Sequence, residues 1–129
     1  MRSLKILIAD DYEPFRIELA EFLKSQEGFE VSAQVRDGLE AIALIPVLRP
    51  DIVLMDIGMP RLNGIEAARK IKEEFPHTKI VFVTVHEDVT YKAMAEMLHV
   101  DSYVCKSSLK QDLPKVLSEI KAGLLTNAD

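Results

Sequence analysis

One cysteine, no tryptophan and five glycines in 129 residues rule out several kinds of protein at once. The lone Cys105 cannot close an intrachain disulfide and suits a reducing compartment, so stability has to come from a packed core. It reads as a small buried hydrophobe rather than a nucleophile. No apolar run reaches the roughly 20 residues a spanning helix needs, and no secretory h-region or cleavage site opens the chain. The expected setting is cytoplasmic, with no membrane partner. Basic charge is also short: 16 Lys and Arg against 21 Asp and Glu, scattered along the chain, leave no electrostatic footprint for nucleic acid. His77, His86 and His99 lack metal-ligand spacing and read as surface or loop residues. What remains is a composition ordinary for one compact soluble domain.

Two periods alternate along that chain. Short runs rich in Val, Ile and Leu at Leu4–Ala9, Phe29–Val35, Ile52–Met55, Ile80–Val85 and Ser102–Cys105 predict strands. Helical spacing fills the intervals. Phe15, Leu19 and Phe22 make one stripe, Ile65, Ala68 and Ile71 another, and Leu109, Leu113, Val116, Leu117 and Ile120 a third. In the apolar fourth helix, core packing is expected of Met97 and Leu98, and exposure on a partner face of Tyr91 and Met94. Pro14 suits the first turn of one helix, Gly64 opens another, and Gly123 is placed to close the last with a left-handed cap. Five strands alternating with five helices imply an α/β fold, a parallel sheet covered on both faces and a single domain. The domain is expected to span residues 1–123, with 124–129 as a short tail or the start of a linker.

In such sheets, sites form beyond the carboxyl ends of the strands, where the strand order reverses. The strand ends carry Asp10 and Asp11, Asp56, Thr84 and Lys106. Each has a bland account: an N-cap pair, a loop carboxylate, a β-branched strand residue, a solvated lysine. Tyr103 would ordinarily be a half-buried aromatic. Their conjunction, in order and over the whole chain, favours a shared chemical site instead.

These residues, with Met59-Pro60 and Gly64 behind Asp56 and Tyr103 three residues before Lys106, resemble the receiver domain of two-component response regulators. The Gly58–Ala68 and Thr84–Asp88 stretches, and the absence of proline after Lys106, are most similar to the NarL/FixJ class. The resemblance implies a flavodoxin-like, doubly wound five-stranded sheet of order 2-1-3-4-5. It implies that Asp56 accepts a phosphoryl group from a histidine kinase. It also implies that Asp10, Asp11, Asp56 and the Gly58 backbone carbonyl hold Mg²⁺. Lys106 would pair with the phosphoryl group, Thr84 would donate to it, and Tyr103 would change rotamer as the switch. On this reading the chain is a regulatory phosphoacceptor rather than an enzyme. Dimerisation on phosphorylation follows by analogy. DNA would be met only through a helix-turn-helix domain absent from this chain, which is either an excised receiver or a single-domain regulator.

The chemistry asks for the same parts. Phosphoryl transfer needs in-line positioning and charge neutralisation, and a carboxylate nucleophile needs no base. Unit charges ~4 Å apart interact by about 4 kcal/mol at an effective dielectric near 20, so several carboxylates facing an anionic donor require a cation. Mg²⁺ fits, since it takes one or two carboxylates and keeps waters. Two departures from the family pattern stand out. His99-Val100 replaces the usual Gly-Ala before the fifth strand, and His is among the milder replacements where φ is positive. Val85 is bulky for its position and predicts slow self-dephosphorylation, which phosphoryl loss within seconds would contradict.

Three other classes are open to comparison. A haloacid dehalogenase-type phosphatase would need an acid two residues after Asp56, where Gly58 stands. A flavin-binding relative would need a phosphate loop where Asp10-Asp11-Tyr12-Glu13 stands. A pseudo-receiver acting as a docking module would have no use for the intact Asp56, Thr84 and Lys106.

Overall fold

The computed structural model describes residues 3–85 and 89–127. Strands β1 (Leu4–Ala9), β2 (Phe29–Val35), β3 (Ile52–Met55), β4 (Lys79–Thr84) and β5 (Ser102–Cys105) form one sheet of order β2-β1-β3-β4-β5. Every pairing is parallel. Helices α1 (Glu13–Lys24), α2 (Gly38–Leu48), α3 (Gly64–Glu74), α4 (Val89–Met97) and α5 (Leu109–Asn127) return the chain between strands, and a short 3₁₀ turn at Lys106–Ser108 precedes α5. The expected doubly wound, flavodoxin-like arrangement is present.

Strand period decides which helices cover which face, because alternate side chains point to opposite sides. Ile6, Ile8, Leu54, Val81, Val83 and Val104 pack with Leu19 and Leu23 of α1 and Leu113 and Leu117 of α5. The intervening Leu7, Ala9, Val53, Met55, Ile80 and Phe82 pack with α2, α3 and α4. Both faces are apolar, so the central strands read as unbroken hydrophobic runs. The chain steps outward from β1 to β2 and then back across to β3. That reversal opens a crevice between the loops that follow β1 and β3.

Local chemistry sets the helix starts. Asp37 caps α2 by accepting the Glu40 amide, and Asn63 caps α3 by accepting the Glu66 amide. Pro14 sits in the first turn of α1, where its missing N–H leaves nothing unsatisfied.

Several expectations need correction. The fourth strand runs one residue earlier at both ends, as Lys79–Thr84, which leaves Val85 beyond it and 69% exposed. Gly123 does not close α5, which continues to Asn127, and its φ is not positive. Met94 is the methionine packed against the core, while Met97 is 78% exposed. Leu98 does pack against the core, as expected. Cys105 is half-buried rather than buried. His99 has φ +58°, the left-handed conformation its position called for, and with His77 it lies on the surface. His86 and the Tyr91 side chain fall outside the described residues.

Candidate functional site

The site assembles at the carboxyl ends of β1, β3 and β5, with β4 lying between the last two. The Asp10 amide donates to the Val35 carbonyl, and the Asp56 amide donates to the Ala9 carbonyl, so both carboxylates ride on the sheet's own hydrogen bonding. Asp10 is not a helix cap. Tyr12 holds the N-cap position of α1 without a side-chain bond, and Asp10 Oδ1 accepts the Tyr12 amide at 2.9 Å. Arg16 donates to the Asp10 carbonyl at 2.6 Å and holds this corner from α1. Behind Asp56, the Gly64 amide donates to the Ile57 carbonyl at 2.8 Å. A Cβ at Gly64 would collide with the Asp56 carbonyl, so α3 can start this close to the strand end only with glycine there.

One carboxylate oxygen from each of Asp10, Asp11 and Asp56 lies within 4.8 Å of the others. Asp10 is buried, Asp56 is mostly buried and Asp11 is exposed. Lys106 answers them. Its ammonium lies 2.7 Å from Asp10 Oδ2 and 3.8 Å from Asp56 Oδ2, and sits 4.1 Å from the centre of the Phe15 ring. Asp56 Oδ1 accepts the Ile57 amide at 2.9 Å. Burial pushes the Asp56 pKa above its ordinary value, and the Asp10 charge adds to the rise. Lys106 and the Ile57 amide pull it down, while Asp11 raises it further. One ammonium does not balance three carboxyl groups.

The donor set fits a hard divalent cation. Three carboxylates converge, and Asp10 Oδ2 is buried without a hydrogen-bond donor, its contact with Lys106 being an ion pair off the hydrogen-bonding direction. Thr84 is fully buried at the end of β4, the strand beside β3. Tyr103 lies on β5, half-buried against the cluster under α2, α3 and α4. Gly58 is exposed in the loop after Asp56. Sequence reading missed Arg16 and the Phe15 ring contact, because α1 showed only an apolar stripe with Phe15 in it.

The family model for the response regulator receiver domain matches residues 6–118. The chain belongs to the response regulator receiver family. Receivers of this family generally bind Mg²⁺, and the acidic cluster here is of the corresponding kind. The receiver is 39% identical over 123 residues to an uncharacterised response regulatory protein of Yersinia pestis, covering 95% of this chain and 50% of that protein. It is 32% identical to response regulator protein VraR of Staphylococcus aureus, covering 94% of this chain and 58% of that protein. The chain therefore spans about half the length of the curated relatives it matches. Among solved structures, a LuxR-family two-component response regulator from Aurantimonas is 30% identical with TM-score 0.89, covering 94% of this chain and 86% of that one. The receiver domain of RcsB from Salmonella enterica serovar Typhimurium, solved with the phosphomimetic BeF₃⁻, is 25% identical with TM-score 0.88, covering 95% and 91%. Among the described residues, no helix of the receiver is long and apolar enough to cross a membrane.

Proposed function

We propose that this receiver takes a phosphoryl group onto Asp56 from the phosphohistidine of a histidine kinase, in a Mg²⁺-dependent reaction, and passes the change to an output face. The observation that carries the reading is the grouping of Asp56 with Asp10, Asp11 and the Lys106 ammonium at one crevice. Asp10, Asp11 and Asp56, with the Gly58 carbonyl, would hold Mg²⁺, whose charge would offset the repulsion among the carboxylates and an anionic donor.

The chain's own groups do the rest. An Asp56 carboxylate oxygen attacks phosphorus in line as the donor's P–N bond breaks, and the leaving imidazole nitrogen takes its proton from solvent. The Lys106 ammonium, already within reach of Asp56, pairs with the transferred group as a point charge. The Thr84 hydroxyl donates to it from a rigid strand end. Its engagement frees Tyr103 to change rotamer against the α4 side, which makes the transferred charge legible at the surface. Exposed Val85 stands next to this path and supports slow loss of the phosphoryl group. The receiver unit is proposed to run with α5 to Asn127 and to work in the cytoplasm, with homodimerisation following phosphorylation. DNA would be reached only through a separate domain.

Incubation with Mg²⁺ and acetyl phosphate, read by intact mass, tests the reading. Wild type is expected to gain one acid-stable, base-labile phosphoryl group that Asp56→Asn lacks. A folded wild type that gains none, and binds no beryllofluoride, would leave only a docking module that is never phosphorylated.

A further inference from the structure

Beside the site, two loops are fastened together by residues with no part in the chemistry above. Asp37, at the start of α2, is 3% exposed, and both its oxygens are engaged. Oδ1 accepts the Glu40 amide at 2.9 Å, while Oδ2 takes Nε of Arg61 at 2.8 Å and Nη2 at 2.6 Å. Next to this clamp the Gly38 amide donates to the Leu62 carbonyl at 3.0 Å. A Cβ on Gly38 would run into that same carbonyl, so the two loops meet backbone to backbone.

Arg61 and Leu62 belong to the loop between β3 and α3, which also carries Gly58. Arg61 holds φ +63°, a left-handed conformation that residues with a Cβ adopt only where their surroundings over-determine it. The front of the loop is fixed differently, by the buried side chains of Ile57 and Met59. Gly58 lies within this front anchor, between Ile57 and Met59, exposed and without a side chain to orient it. Beyond it the loop is held again at Arg61 and Leu62. The desolvated Asp37 ties the rear of the loop to the start of α2, its Oδ1 held by the Glu40 amide and its Oδ2 by the Arg61 guanidinium in a charge-assisted contact.

We infer that Asp37 and Arg61 are positioning residues that latch the loop after Asp56 to the start of α2 and so set the Gly58 carbonyl toward the Mg²⁺ site. The inference rests on the function proposed above, and it extends the machinery of that site to a pair of side chains outside it. It makes Mg²⁺ affinity depend on a guanidinium that never meets the ion.

An NMR titration of the whole chain with MgCl₂, followed at the Gly58 amide well below the unfolding temperature, gives the dissociation constant for each variant. Arg61→Gln is expected to weaken Mg²⁺ about tenfold or more, the usual scale for losing a group that orients a metal ligand. Arg61→Gly relieves the left-handed backbone while removing the clamp, so it guards against a misfolded Gln variant, and it is expected to weaken binding as well. Lys72→Gln breaks the 2.9 Å ion pair with Asp101 at the opposite end of the sheet. It is expected to lower stability while keeping wild-type affinity. If the Arg61 variants lose stability but bind Mg²⁺ as wild type does, the latch is structural only and the inference falls. A folded wild type that neither binds Mg²⁺ nor gains a phosphoryl group overturns the functional reading itself, and the latch with it.

Discussion

Asp56 is a carboxyl group whose charged form the fold works against. Burial comes first among the causes, then the Asp10 charge beside it. Its folded pKa lies above its unfolded one, so the native protein holds this proton the more tightly. Stability is highest with the proton on, and falls as pH rises through the window between the unfolded and folded values. Asp56→Asn imitates the neutral form. Without divalent cation it is expected to melt a few degrees above wild type at neutral pH, with the gap closing at about pH 2.5, well below the ordinary Asp value of about 3.9. Calorimetry at the two pH values checks this, and a gap independent of pH would contradict it. Asp37 has the opposite sign. Burial alone would raise its pKa, but the Glu40 amide, Arg61 and the Leu39 amide outweigh it and leave it lowered. Its contribution is lost on acidification in both proteins alike and cancels in the comparison. Asp10, Asp56 and Lys106 could be found in the sequence because each follows directly on an apolar run. Asp37 and Arg61 could not, because neither ends a strand nor joins a stripe, and their meeting depends on how two loops approach. Met94 and Met97 were interchanged for a related reason: two methionines three residues apart fix a helix's period but hardly its phase.

At the scale of elements, α5 shows where punctuation misleads. Glycine is the commonest left-handed stop after a helix, yet α5 runs through Gly123. A Cβ there would meet nothing within 4 Å. Gly123→Ala is therefore expected to stabilise the protein by roughly 0.5–1 kcal/mol, by trimming the freedom of the unfolded chain. Urea denaturation measures it, and a loss of stability would mean that the residue is left-handed after all. His99 is the complementary case. With φ +58° and its amide donating to the Glu96 carbonyl, it ends α4 in the place where many receivers carry glycine. Helix α2 gave no clean amphipathic stripe to read, since it is apolar nearly all round and carries Pro46 inside its last turn. Its cap at Asp37 marks its start better than its periodicity does.

For the molecule as a whole, the alternation of strands and helices carried the fold class and the two covered faces. The order of strands did not follow from periodicity and came from the resemblance alone. The whole fold is also the object on which a bound cation acts. If Mg²⁺ binds the native cluster and not the unfolded chain, a concentration about a hundred times its dissociation constant stabilises the protein by about 2.7 kcal/mol. A thermal shift measured with and without Mg²⁺ is expected to report that gain in wild type. Asp10→Asn, which removes the buried, under-bonded oxygen, is expected to abolish most of it. A gain of equal size in the variant would place the ion elsewhere.

The ammonium of Lys106, resting between Asp10 and the Phe15 ring, gives the crevice a tenant of the protein's own. A divalent ion drawn to Asp10 would compete with the protein's own side chain before it competed with solvent. The ammonium it displaced would then be available to meet an incoming anion. On the proposed function, the metal would arrive first and the phosphodonor second, an order set at a single shared carboxylate oxygen.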